Sequence, residues 1–179
     1  TNEFFNCKGA PSTPYFPSFK NALEAGEQKS IMEIPVTAGF NVRNFEKADK
    51  IHDALSNGAI SIIKPIGLLW HTKMLRKIYL SPELTDSHNM NALVDICLKK
   101  DFPVIHMYLH SSSLLDGVTG LLNVDNAFEK ICERISNVVE TLRTKSNVSF
   151  CTITEAATLL KVKNNAVQQS AQKECRNER

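Results

Sequence analysis

Pro103-Val104-Ile105-His106-Met107-Tyr108-Leu109-His110-Ser111-Ser112-Ser113-Leu114 is the stretch on which the fold turns. Its apolar part is too short for a helix of its own, and Pro103 with the β-branched pair after it favours an extended chain. The run breaks off at a histidine and three serines, so it reads as a buried strand opening into a loop. In α/β folds, binding and chemistry gather at the carboxyl ends of strands. His110 is therefore the first candidate functional residue.

Upstream, Ile31–Thr37 reads as a strand, with Pro35 marking an end, an edge or a bulge. Residues 44–57 fit a helix whose Phe45, Ala48, Ile51 and Leu55 share a face, with Gly58 as its stop. A short strand over 59–63, a helix over 68–77 and a strand over 78–81 follow. The next helix spans 87–99, with Met90, Leu93, Val94 and Cys97 as its buried stripe. After the 103–110 strand, the periodicity of Phe128, Ile131, Cys132, Ile135, Val138, Val139 and Leu142 predicts a helix over 125–144. Asn126 and Glu129 have capping-box spacing at its start. A strand over 148–152 precedes a helix to 160, where Thr152 and Glu155 have the same spacing. Alternation of strands and helices from residue 78 implies an α/β fold of parallel βα units, open or closed into a barrel. Residues 1–29, rich in proline and aromatics, read as an ordered loop segment. Residues 30–161 form the βα domain, and the polar stretch 162–179 reads as a disordered tail.

Composition narrows the function classes. Hydrophobic residues make up 42% and charged residues 22% of the 179, the balance of a globular domain. A net charge of +2 gives no electrostatic reason to expect nucleic acid or an anionic surface. No apolar run reaches the roughly 18 residues that a membrane span needs. The five cysteines (Cys7, Cys97, Cys132, Cys151 and Cys175) form no CxxC pair. They read as free thiols, Cys97 and Cys132 on buried helix faces, which favours a cytoplasmic location over the cell envelope. A chain that begins at Thr1 is compatible with processing or with a longer parent.

His106 and His110 have H-x3-H spacing, but a strand places their Cα atoms about 13 Å apart, too far for one ion to take both easily. His106 and Tyr108 then read as core residues with satisfied polar tips. Ser111, Ser112 and Ser113 lack a nucleophile motif and read as loop hydroxyls. Glu33, an acid within an apolar strand, must be exposed, paired or functional. Glu83 reads as a helix-start acid, and His52, His71 and His88 as surface residues. Asp116-Gly117-Val118-Thr119-Gly120 reads as a turn.

Four segments together resemble the C-terminal half of the polysaccharide deacetylase family, the NodB-like carbohydrate esterases. They are Met32-Glu33-Ile34-Pro35-Val36-Thr37, Leu80-Ser81-Pro82-Glu83, Leu109-His110-Ser111-Ser112-Ser113-Leu114 and Phe150-Cys151-Thr152-Ile153-Thr154-Glu155. In order, they cover about residues 30–160. The resemblance implies the second half of an irregular (β/α) barrel and hydrolysis of acetyl groups on a polysaccharide or glycan. It also implies a divalent metal, usually zinc, that polarises the acetyl carbonyl and activates a water, with an aspartate as base. His110 would be the catalytic acid that protonates the leaving group. Tyr108, Leu109, Ser111 and Glu33 would be substrate-binding residues, with Tyr108 standing where the family usually has a leucine of the acetyl pocket. The family's Asp-Asp and H-x3-H metal motifs do not precede residue 30, so no metal ligand is assigned in this chain. The expectation is a deacetylase shown here without its upstream metal motifs. The alternative is a non-catalytic deacetylase-like domain that binds a glycan or a protein partner.

Overall fold

The computed structural model describes residues 9–56 and 65–162. The expected strand over 59–63, Gly58, Cys7, Cys175 and the polar tail beyond 162 lie outside the described residues. The chain divides into two compact units: Val36–Val148 is one, and the residues through Pro35 with those from Ser149 onward are the other.

The Val36–Val148 unit is mixed α/β and mostly helical. Its elements run β1 (Ala38–Phe40), α1 (Phe45–Ser56), α2 (Pro65–His71), β2 (Lys77–Tyr79), α3 (Ser87–Lys99), a 3-10 turn (Ser111–Leu114) and α4 (Ala127–Lys145). β1 and β2 pair antiparallel, Ala38 opposite Tyr79 and Phe40 opposite Lys77. Among the described residues this is the only sheet, where the sequence pattern led us to expect a parallel one. The strand expected over 31–37 also gives way, because Pro35 has no amide to donate and regular pairing begins at Ala38. Gly39 lets the Phe45 ring lie close against β1, since a Cβ there would run into it.

α3 forms where expected. Asp86 caps it, its carboxylate accepting the Asn89 amide at 2.9 Å. Met90, Leu93, Val94 and Cys97 are fully buried and join Ile78, Leu80, Val138 and Leu142 in one core. α2 is shorter than the helix expected over 68–77. Lys73 takes a left-handed backbone (φ 60°) and turns the chain toward β2. α1 buries Ala48 but leaves Ile51 51% exposed, with the His52 ring edge-on to Phe40 instead. Packing on one short strand covers a narrower stripe than the periodicity of α1 offers.

The 103–110 segment is extended but joins no regular ladder. Thr37 holds it by donating its amide to the His106 carbonyl (2.9 Å) and accepting the His106 amide on its hydroxyl (2.8 Å). The Tyr108 amide donates to the Leu80 carbonyl (3.3 Å), and the Leu80 amide donates to Thr37 (2.9 Å). These bonds tie three extended segments together without making 103–110 a strand. α4 also starts differently. Asn126 adopts a left-handed backbone and makes no side-chain cap. Asp116 does that work from ten residues upstream, accepting the amides of Asn126 (3.2 Å) and Ala127 (2.7 Å). Phe128 is 54% exposed and Cys132 is exposed, so the buried face of α4 is Ala127, Ile131, Val138 and Leu142.

In the other unit, the Tyr15 and Glu33 backbones exchange hydrogen bonds of 3.0 and 2.8 Å, an isolated antiparallel bridge. No strand forms over 148–152. Thr152 and Glu155 make the expected reciprocal cap, with the Thr152 amide on the Glu155 carboxylate at 2.7 Å, and residues 153–162 are helical. No helix among the described residues is long and apolar enough to cross a membrane.

Candidate functional site

Two turns build the site within the Val36–Val148 unit. After β2 the chain reaches Leu80-Ser81-Pro82-Glu83. Pro82 has no amide to extend the ladder, and the amides of Leu84 and Thr85 fold back onto the Ser81 carbonyl (3.2 and 2.9 Å). Arg134 of α4 holds the Pro82 carbonyl at 2.7 Å. The turn closes before the Asp86 cap and tucks Glu83 inward, its side chain 0% exposed. The second turn begins where the extended segment ends. Ser113 donates its amide to the His110 carbonyl (2.9 Å) and opens the 3-10 turn.

Glu83 and His110 meet between these turns. The Glu83 carboxylate accepts the His110 backbone amide on Oε2 (3.2 Å) and lies 2.6 Å from His110 Nδ1 through Oε1. The Ser113 hydroxyl also hydrogen-bonds this carboxylate, and the Ser81 hydroxyl reaches it at 3.5 Å. Burial is the largest influence on Glu83 and works against its charge. The bonds from Ser113 and from the His110 ring and amide outweigh it, and hold the carboxyl below its usual range. A carboxylate kept ionised accepts only, so Nδ1 carries the proton in this pair. The His110 side chain is 62% exposed. One nitrogen is thus committed to Glu83, and Nε2 is left for proton exchange with a ligand or water.

Tyr108 stands beside the pair, its ring edge-on to His110 at 6.5 Å. Burial pushes its phenol upward, helped by Tyr79 and the Glu83 charge and opposed by a hydrogen bond with Ser81. The phenol therefore stays neutral and polar at the base of the site.

The other candidate residues fall elsewhere. Leu109 packs against the cluster of Leu122, Ala127 and Ile131. Ser111 is exposed at the start of the 3-10 turn. Glu33 is exposed and belongs to the Tyr15 bridge in the other unit. His106 is half-buried on Thr37. Among the described residues no three His, Cys, Asp or Glu side chains converge as a metal site. The donor set for the zinc that the resemblance implies is therefore not found among them, and no step is routed through a metal here.

The residue that sequence reading undervalued is Glu83. Its spacing ahead of α3 suits a helix-start acid, yet Asp86 fills that role. The available signal was Pro82, which forces a turn directly after a buried strand. Ser113, fully buried, was read as a loop hydroxyl and proves to be a ligand of the buried carboxylate. Comparison of the chain with protein-family models, with curated proteins and with solved structures finds no match.

Proposed function

We propose that the Val36–Val148 unit supplies the acid side of a carbohydrate deacetylase site of the NodB type, with His110 as general acid. One observation carries this reading: an exposed imidazole whose Nδ1 is fixed on a fully buried carboxylate. That arrangement sets the tautomer and ring orientation and stabilises the imidazolium. Nε2 then holds the proton that a departing sugar amine or hydroxyl takes up as the acetyl bond breaks. Tyr108 flanks the ring and limits how an acetyl group approaches it. Zinc, when bound, would polarise the acetyl group, and its ligands would come from residues outside the described ones.

The fold proposal follows the same line. The extended segments at Thr37, Leu80 and His106–Tyr108, the second leading into α3 and the third into the 3-10 turn, are consistent with βα units of an irregular barrel. The antiparallel pairing of β1 with β2 is the feature that such a barrel must accommodate.

The test is acetate release from an N-acetylated oligosaccharide by the full-length gene product, together with metal analysis. His110→Ala is expected to lower the rate by about 100- to 10,000-fold. Activity near that of the unaltered protein would remove His110 as the acid. No acetate release from metal-loaded protein would favour the alternative, a non-catalytic domain that binds a glycan or a protein partner.

A further inference from the structure

The carboxylate at the centre of the site is also the end of a longer hydrogen-bond chain. The Ser113 and Thr119 hydroxyls lie 3.0 Å apart, and the Leu121 amide donates to Thr119 Oγ1 at 3.3 Å. Donor accounting gives this chain one direction. Glu83 accepts, so Ser113 spends its only proton on the carboxylate. The Ser113 oxygen must then receive the proton of Thr119, whose own oxygen receives the Leu121 amide. Every donor points toward Glu83, from one side through the loop hydroxyls and from the other through His110. Hydrogen bonds aligned in this way polarise one another.

The loop that feeds the chain has few other anchors. Gly117 and Gly120 sit in left-handed backbone with open space around them, and Leu115, Val118 and Leu121 are exposed. Asp116 fastens the loop to the start of α4. Ser113–Thr119 fastens it to the site.

We propose that Ser113 and Thr119 are positioning residues that couple the 115–121 loop to His110 through Glu83. Movement of the loop that breaks the Thr119 bond weakens the Ser113 donor and redistributes the Glu83 carboxylate. The hold on the His110 ring and amide changes with it. A ligand that contacts the loop would thereby alter how firmly the histidine is oriented. The proposal rests on His110 being the functional residue of the site. Its test reads the ring directly, so it stands or falls separately from acetate release.

The experiment uses the 15N-labelled full chain and follows the His110 ring nitrogens and the exchange of the His110 and Leu121 amides with solvent. Thr119→Val keeps the shape and removes the hydroxyl. It is expected to speed exchange of the His110 amide about fivefold and to shift the Nδ1 resonance away from the protonated form. Thr119→Ser, which restores a hydroxyl, is expected to return both to the unaltered values. The proposal is overturned if Thr119→Val changes the Leu121 amide alone, or if Thr119→Ser behaves like Thr119→Val. Both variants alter a loop side chain outside the main core, so the comparison does not depend on Ser113→Ala folding.

Discussion

The stretch 77–99 and the stretch 103–122 face the same core from opposite ends of the sequence logic. In the first, β2 and α3 form where local patterning puts them. Asp86 caps the helix from the adjacent position, and Leu93 is buried because every third or fourth residue beside it is apolar. In the second, almost nothing is settled by neighbours. The extended segment is held by Thr37 and Leu80, the loop by Asp116 and Ser113, and the histidine by Glu83, 27 residues earlier. Apolar burial is non-directional and rewards a pattern. A buried polar group must find particular partners, and those come from wherever the chain passes.

The contrast can be broken most severely on its apolar side. Leu93→Ala should destabilise the Val36–Val148 unit by about 2–5 kcal/mol, read from urea unfolding, because it empties part of a fully packed core. A loss well under 1 kcal/mol would mean that this core is not the main support. Glu83→Ala should cost less, about 1–3 kcal/mol, by leaving the His110 amide, the His110 ring and the Ser113 hydroxyl without their acceptor. Amide exchange should show that loss concentrated over 110–119 and small in α3, whereas uniform loosening would place Glu83 in the global core.

Acid should reproduce the second change without a mutation. The folded structure depresses the Glu83 carboxyl, so the stabilisation is present above its unfolded value of about 4.3. It is lost as pH falls through the depressed folded value. Exchange over 110–119 should therefore quicken below about pH 4, before the α3 core opens. Simultaneous loss would show that the two regions do not separate.

Smaller again is Asp116→Ala, expected to cost about 1 kcal/mol by uncapping α4 from a distance. Asn126→Ala should cost little by comparison, because its side chain makes no cap. The smallest effect is chemical. Burial pushes the Cys97 thiol up to about 12, so a thiol reagent at pH 8 should modify the exposed Cys132 and Cys151 and spare Cys97. Labelling of Cys97 at a matching rate would mean that the α3 core opens readily.

Much of the first region could be read in advance. The bounds of α3, the core stripe Met90–Cys97 and the Thr152–Glu155 cap need only side-chain period and short-range hydrogen bonding. His110 could be singled out as well, because an apolar run that ends in polar residues marks a loop mouth. Glu83 was not legible as its partner, since a carboxylate four residues ahead of a helix fits the dipole equally well. The Asn126 cap failed for a related reason. Spacing shows that a capping box is possible, not that Asp116 reaches the same amides first.

By itself, then, the sequence determined the helices, the apolar face of α3, the free cysteine at its centre and the histidine at the end of the 103–110 run. These depend on interactions within a few residues, which the linear order already contains. Only the tertiary structure decided that β1 and β2 pair antiparallel, that 103–110 runs extended without a ladder, and that His110 rests on a buried glutamate tied to Ser113. Those outcomes satisfy directional polar groups across long separations, and the partner is chosen by where the packed chain brings each donor and acceptor.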